Sequence, residues 1–465
     1  MPTDAATVSP LEPALELVRK YDVPGPRYTS YPTAPHFSAG FDRAALRREI
    51  ARDNSDPARP LSLYVHLPFC ETLCWYCGCN TVITRKHEAA TDYVDLLIKE
   101  IALVAAQLNR ARPVTQLHFG GGTPTFLPPD QVARLGRALH QHFRFAPDAE
   151  ISVEIDPRRL TREHVQAFRD LGCNRASLGV QDTNPAVQEA INRIQPTSLT
   201  AQAITWLREA GYQSVAIDLI YGLPLQTEES FAQTIHEITA LNPDRLAVFS
   251  YAHVPWIKPT QKVFEIRKQL PKTEEKLGML VLATKLLTQA GYQSIGMDHF
   301  ARPDDELALA HQAGTLHRNF QGYTTRAGAS LYGFGMSSIS QTPGSFWQNE
   351  KGLDAWSAAL MAGELPIERG LLVGDEDQQR RTIVMEVMCR RRFDYAGLSK
   401  RTGSDVRAVY AKELTSLADL EADGLLVTDA AGFTITPLGE LFRRIIAMRF
   451  DVYLDRGPRN FSKAV

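Results

Sequence analysis

Residues 61–79 read LSLYVHLPFCETLCWYCGC, an apolar β-type run that feeds directly into a cysteine-rich loop. Four thiols fall within ten residues, at Cys70, Cys74, Cys77 and Cys79, spaced C-x3-C-x2-C-x-C. Structural zinc sites gather ligands from separated C-x2-C knuckles. Here all four thiols share one loop, and the two other cysteines, Cys173 and Cys389, lie alone and read as small buried hydrophobes. Closely spaced thiolates suit an iron–sulfur cluster. The C-x3-C-x2-C part, with Tyr76 before its last cysteine, predicts Cys70, Cys74 and Cys77 as ligands of a [4Fe–4S] cube. One iron is then left open. Cys79, two residues further on, is predicted to point away from the cluster. A zinc-binding loop stands as the alternative.

Downstream, five more short apolar runs appear: TQLHFGG (115–121), EISVEID (150–156), RASLGVQ (175–181), SVAIDLIYG (214–222) and RLAVFSY (245–251). Amphipathic stretches such as AATDYVDLLIKEIALVAAQL (89–108) and TREHVQAFRDLG (161–172) separate them. Strands alternating with helices predict βαβ units and a parallel sheet. Six units fit a partial barrel or an open doubly wound sheet, and periodicity does not separate the two. Nearly every run ends in polar residues or glycine: His66, Gly120–Thr123, Glu154 with Asp156, Gln181 with Asp182, and Tyr251 with His253, while Asp218 lies inside the fifth. In a parallel β/α protein those ends converge on one face, which predicts one large central site. Gly120, Gly121, Gly122 and Thr123 allow close backbone approach, and their N–H groups are expected to be free for a ligand. Glu154, Gln181 and Asp218 are candidates for ribose or amino-group contacts, and Arg193 for a carboxylate.

The flanks differ. A helical pattern over residues 11–20 leads into YDVPGPRYTSYPTAPHF (21–37), whose prolines forbid a regular helix and predict an arm lying on other elements, poised over the site. After about Ser340 the rhythm stops. Residues 375–394 and 405–424 read as helices, and 424–444 as a hairpin followed by a helix, a winged-helix-like arrangement. Its arginines Arg380, Arg381, Arg390, Arg391 and Arg392 read as a solvated helix face or a lid contact. The expected division is 1–60 arm, 61–345 catalytic barrel and 346–465 C-terminal helical domain.

The bulk numbers agree with a large globular protein. The chain has 465 residues, 44% hydrophobic and 22% charged, with formal net charge −2. A protein that coats nucleic acid is far more basic, so no nucleic-acid partner is expected. No apolar run reaches membrane-spanning length, and MPTDAATVSP lacks the pattern of a secretion signal. A soluble cytoplasmic protein is expected.

The cysteine motif at the end of a first strand, followed by GGGTPT (120–125), resembles the radical S-adenosylmethionine (SAM) superfamily. RYTSYPTA, LYVHLPFC, Cys79, EIDPR, GVQD, IDLIYGLP, MDHFARPDDELA and HRNFQGYTT together resemble its oxygen-independent coproporphyrinogen III dehydrogenase family, from about Tyr21 to the C-terminus. The resemblance implies an α/β fold, a partial (β/α)6 barrel. It implies SAM on the open iron, bound through its amino and carboxylate groups, and two SAM in the site. Tyr64, Gly121, Glu154 and Ile339 match contacts of the cluster-bound SAM. Gly122, Thr123, Gln181, Arg193, Asp218 and Ala252 match contacts of the second. Tyr76 is a cofactor-binding candidate because it lies close to the cluster ligands in sequence, with core packing as the alternative, and the resemblance implies that Cys79 is needed for activity without ligating the cluster. The implied reaction is oxidative decarboxylation of two propionates of coproporphyrinogen III to vinyl groups, giving protoporphyrinogen IX, with a flavodoxin- or ferredoxin-type one-electron reductant and a monomeric enzyme. A haem or porphyrin chaperone on the same barrel is the alternative. The substrate's carboxylates require cations, and Arg27, Arg302 and Arg318 are candidates. His299 and His317 read as partly buried structural histidines.

Overall fold

In the computed structural model the described residues are 11–454, 456 and 461–463, so the first ten residues of the arm and part of the last eleven lie outside them. Six strands form the centre: β1 (Leu61–Leu67), β2 (Val114–Gly121), β3 (Phe145–Ile155), β4 (Arg175–Gln181), β5 (Ser214–Tyr221) and β6 (Arg245–Ser250). They pair in chain order and all in parallel. Helices Glu88–Ala105, Pro129–His142, Arg162–Leu171, Thr197–Glu209 and Glu228–Ala240 connect them. The helix Arg162–Leu171 shows how local sequence sets these bounds. The Thr161 side chain accepts from His164 N–H at its start, and Gly172, at φ 118°, ends it in a conformation that glycine adopts without steric cost.

The sheet continues past both ends of the parallel set. At the β6 edge come β7 (Gln293–Gly296) and β8 (His299–Ala301), with β8 antiparallel to β6. At the β1 edge, β9 (Ser330–Phe334) runs parallel to β1, followed by the antiparallel β10 (Ile339–Gln341), β11 (Ser345–Asn349) and β12 (Ile367–Leu372). The order is β12-β11-β10-β9-β1-β2-β3-β4-β5-β6-β8-β7, and its two end strands do not pair with each other. Inward side chains from β2 to β6 nevertheless line one cavity, so the sheet curves around a lumen. The expected partial (β/α)6 barrel is therefore the architecture.

Period-two alternation decides what faces where. Leu63, Val65, Leu117, Phe119, Ile151, Val153, Ile217 and Leu219 point outward and are buried under the helices in the main core. Their neighbours Tyr64, His118, Ser152, Glu154, Ser177 and Asp218 face the lumen. Polar side chains line the lumen along its length, whereas the sequence, Asp218 apart, suggested polar groups at the strand ends.

A second core joins the arm to the C-terminal region. Tyr21, Tyr28 and Tyr31 pack with Ile383, Val387, Phe442 and Ile446. The C-terminal region holds the helix Asp375–Cys389 and a small sheet in which strand Gly432–Ile435 lies between Arg392–Asp394 and Leu426–Asp429. This is the expected mostly helical, winged arrangement. Cys173 and Cys389 are buried in the two cores.

Candidate active site

The cysteine loop follows β1 and is tied down from three directions. Trp75 N–H donates to Ile191 O at 3.0 Å, the Asn192 side chain to Leu73 O at 2.8 Å, and the Gln261 side chain to Tyr76 O at 2.9 Å. Lys258 donates to the Cys79 carbonyl. Cys70, Cys74, Cys77 and Cys79 all line one cavity of about 230 Å³, together with Tyr76, Gly121, Gly122, Thr123, Glu154, Gln181, Arg193 and Asp218.

The donor set fits a cubane better than a single ion. Among the described residues no three His, Cys, Asp or Glu side chains converge closely enough to hold one metal ion. Tetrahedral zinc requires that convergence, whereas each thiolate of a cubane meets its own iron. The surroundings are also cationic, as bound thiolates require. Arg158 and Arg193 donate to Cys74 Sγ at 3.6 and 3.5 Å. Hydrogen bonds from Cys79, with Lys258 and Arg193 nearby, bring the Cys77 thiol down to about 6. Cys79 N–H donates to Cys77 Sγ at 3.4 Å, and Cys79 itself is exposed between this cavity and a neighbouring one.

The glycine-rich turn after β2 differs from expectation in one respect. Its N–H groups are not free. Gly121 N–H donates to Glu154 Oε2 at 3.2 Å, Gly122 N–H to Leu67 O at 2.8 Å, and Thr123 N–H to Phe69 O at 2.9 Å. The glycines are needed for close packing instead. A Cβ on Gly121 would lie 2.6 Å from the His66 ring, and one on Gly122 2.6 Å from the Pro68 carbonyl group. The turn thus clamps the cysteine loop to β2, and Thr123 Oγ1 lies 3.6 Å from Cys70 Sγ.

Glu154 is the hub. It borders the cysteine cavity, the lumen cavity of about 200 Å³, and a third cavity of about 300 Å³ lined by Tyr64, His66, Ser338 and Ile339. Burial alone would raise its carboxyl, but hydrogen bonds from His118 Nε2 at 3.2 Å and Gly121 N–H hold it low. Tyr64 stacks on His118 at 5.9 Å and bonds through its hydroxyl to His66 Nδ1 at 3.0 Å. Across the lumen Asp218 is pushed up to about 7 by burial and by Glu154. Gln181, buried and at φ 72°, has an Oε1 with no partner. A buried acceptor without a partner is costly, which fits a donor supplied by a ligand in the cysteine cavity.

Arg193 is buried, bonded to Asp156 at 3.1 Å and to Gly179 O as well as to Cys74. Ala252 lies in the loop after β6, next to Tyr251, whose N–H donates to Tyr221 O at 2.9 Å. The propionate candidates divide. Arg27 reaches the C-terminal end of β6, donating to Ser250 O at 3.1 Å. Arg302 does not: it donates to Pro243 O at 3.3 Å, before β6 begins and at the opposite end of the barrel. Arg318 stacks over Tyr323 at 4.7 Å, with Nε and Nη1 buried and unpartnered. His299 faces the lumen and bonds to Asp298 at 2.7 Å, and His317 sits on a separate hairpin. Sequence reading missed His118, Arg158 and Lys258. His118 was open to discovery as the lumen-facing partner of Tyr64 under strict alternation. Arg158 and Lys258 carry no local signal.

The profile of the Radical SAM superfamily matches residues 64–238, and that of the HemN C-terminal domain matches residues 374–442. An oxygen-independent coproporphyrinogen III oxidase of Synechocystis sp. is 44% identical over 465 residues, 99% of each chain. That of Escherichia coli is 45% identical over 453 residues, 97% of this chain and 98% of the relative. A solved structure of the Escherichia coli coproporphyrinogen III oxidase, described as a radical SAM enzyme, superposes with a TM-score of 0.89 at 44% identity, covering 95% of this chain and 99% of that one.

Proposed function

This chain belongs to the family of oxygen-independent coproporphyrinogen III oxidases within the radical SAM superfamily, and on that premise we propose that it oxidatively decarboxylates two propionates of coproporphyrinogen III to vinyl groups. The observation that carries the reading is the meeting of three cysteines, two arginines and the Glu154 hub around contiguous cavities in a polar lumen. Cys70, Cys74 and Cys77 would hold a [4Fe–4S] cluster. When bound, the cluster with SAM supplies one-electron cleavage of the sulfonium and hence the means to take a hydrogen atom from a propionate β-carbon.

The chain's own residues do the rest. Arg158 and Arg193 offset the charge of the thiolates and fix Cys74. Glu154, held ionised by His118 and the Gly121 N–H, is a ready acceptor for the ammonium or ribose hydroxyls of SAM. Tyr64 and Ile339 line the cavity on one side of it, and Gln181 and Asp218 line the cavity on the other. Occupation of both sides by SAM is part of the proposal, as are Cys79 acting off the cluster, Tyr76 flanking it, and Ala252 bordering the second SAM. Burial of the reacting carbon in the lumen excludes water and holds geometry. We further propose a monomer acting in the cytoplasm with a flavodoxin- or ferredoxin-type reductant. Among the described residues no helix is long and apolar enough to cross a membrane.

The test is anaerobic incubation of the reconstituted protein with coproporphyrinogen III, SAM and dithionite. Vinyl product, CO2 and methionine are the expected result. Tight haem binding with no vinyl product would overturn the reading in favour of a porphyrin chaperone.

A further inference from the structure

We propose that residues 256–272, which cover the cysteine loop from outside, form the docking surface for an acidic one-electron carrier protein. The inference rests on the radical SAM reading above, because it needs a cluster to be reduced.

Three observations meet on this segment. It is in direct contact with the loop that carries the thiols. Lys258 donates to Cys79 O and Gln261 to Tyr76 O at 2.9 Å, and the Arg267 guanidinium lies 5.1 Å from the Trp75 ring. The short helix Lys262–Arg267 drives Phe264 into a small core shared with Trp75, Tyr76 and Ile191. Three large apolar side chains of the segment are left in water without a structural reason. Trp256 is 54% exposed, Ile257 59% and Ile266 80%. Ile266 and Phe264 sit on one six-residue helix, so the fold uses one apolar side chain and leaves the other in water. Scattered exposed apolar residues are ordinary, but grouped ones mark contact surfaces.

The charge identifies the partner. Within WIKPTQKVFEIRKQLPK (256–272) stand five cations, Lys258, Lys262, Arg267, Lys268 and Lys272, against one acid, Glu265, which is bonded to His253 at 2.9 Å. The whole chain carries a formal net charge of −2, so this basic ground is local. A segment that carries exposed apolar side chains among cations is complementary to an acidic protein surface, and such charges steer encounter. Electron delivery gives the place its meaning: one electron leaves the reduced carrier, one arrives at the cluster, and no bond forms or breaks. Tyr76, one residue before Cys77, lies in the same small core as Phe264, so a carrier seated here is separated from the thiols by a single packed layer.

The experiment compares two electron sources on the reconstituted full chain. A bacterial flavodoxin with its NADPH-dependent reductase must dock, whereas dithionite needs no docking. Lys262 and Lys268 are exposed and make no bond to the site. The double variant K262E/K268E is expected to raise the half-saturating flavodoxin concentration about tenfold and to flatten the salt dependence of the rate. I266S is expected to weaken flavodoxin coupling several-fold by removing the apolar anchor. Dithionite-driven turnover of both variants should equal wild type. Flavodoxin-driven rates that match wild type would overturn the proposal. So would a parallel loss with dithionite, which would assign the segment to the substrate, or lysine-dependent co-sedimentation of the wild type with anionic phospholipid vesicles, which would assign it to a membrane. Absence of wild-type turnover with dithionite would instead strike the parent reading.

Discussion

Replacing Gly122 with alanine is expected to uncouple the cysteine loop from the barrel. The backbone N–H of Gly122 bonds to Leu67 O at 2.8 Å and that of Thr123 to Phe69 O at 2.9 Å, so the turn after β2 and the entry to the cysteine loop are laced together. A Cβ at Gly122 would lie 2.6 Å from both Pro68 C and Pro68 O and 2.7 Å from Phe69 O. Every one of those atoms is backbone, so no side chain can rotate away. Relief requires a shift of about 0.5 Å, which strains or breaks both bonds at about 1 kcal/mol each, in addition to about 1–3 kcal/mol for the overpacking itself. The sum, about 3–5 kcal/mol, is expected as a Tm lower by about 3–5 °C, since a chain of 465 residues has an unfolding entropy of about 1 kcal/mol/K. Because Phe69 directly precedes Cys70, iron and sulfide per chain after anaerobic reconstitution should fall in parallel. Two controls grade the effect. A Cβ at Gly78 meets nothing within 4 Å, so G78A should match wild type. The three nearest atoms to a Cβ at Gly120 are those of the Glu154 carboxylate, at 3.0 Å, a side-chain end that can give way at the cost of its bonds to His118 and Gly121. G120A should therefore hold its iron and bind SAM more weakly. If G122A melts with G78A and retains full iron, the clamp is not what positions the loop.

Glu100 is buried and accepts from Gly335 N–H at 2.8 Å, Asn349 at 2.6 Å and Trp356 at 3.2 Å, pinning the loop that leads to Ile339. E100A leaves those donors unpaired, so thermal unfolding should show a loss of about 3–5 kcal/mol and SAM titration a weaker affinity. Asp218 is raised to about 7 by burial and Glu154, so its contribution to stability is present below the ordinary carboxylate range and is lost as pH rises through about 7. This group should therefore make the Tm of the apo-protein fall with pH from about 4 to about 7 and level off above, and D218N should remove that component; an unchanged slope between about pH 5 and 7 refutes the assignment. Cys79 meets Cys77 through hydrogen bonds from its N–H and its thiol, as a donor rather than a fourth ligand, and it faces two cavities. C79S is therefore expected to keep its iron, measured by absorbance near 400 nm and iron analysis, and to lose vinyl product. Loss of iron would make Cys79 a ligand.

What the sequence revealed and what it hid follow a physical line. Strand runs, the cysteine spacing and the glycine turn are local, so their residues could be read in place. The lumen was half legible: Tyr64 and His66 alternate with Leu63 and Val65, but the same alternation at His118 passed as part of an apolar run. Partnerships across the chain were hidden. Nothing local to Arg193 points to Cys74, 119 positions away, and nothing local to Arg302 says that it turns to Pro243 at the far end of the barrel. The glycine N–H groups misled because a turn that approaches a ligand and a turn that approaches another loop look identical in sequence.

The C-terminal region gains a purpose from where its arginines go. Arg380 bonds to Glu376 and Glu413, Arg390 and Arg401 to Glu386, Arg391 to Glu440, and Arg392 to Asp429. A carboxylate thus meets each of these, so all of the arginines read in the basic runs except Arg381 tie the small domain to itself, Arg391 and Arg392 from its solvated face. Two further arginines reach across to the arm. Arg444, buried, donates to the carbonyls of Pro26 at 2.9 Å and Gly25, and Arg381 donates to Tyr31 O at 2.9 Å. Tyr28, also buried, donates to Asp451 at 2.9 Å. Between these anchors the proline-rich arm has no helix or sheet ladder of its own, so its backbone carbonyls depend on such donors. The residue held in the middle, Arg27, is the one that reaches Ser250 O at the mouth of β6. The small domain therefore acts as a bracket. It fixes the arm from behind and delivers a cation to the rim of the lumen, where a tetracarboxylate substrate would enter.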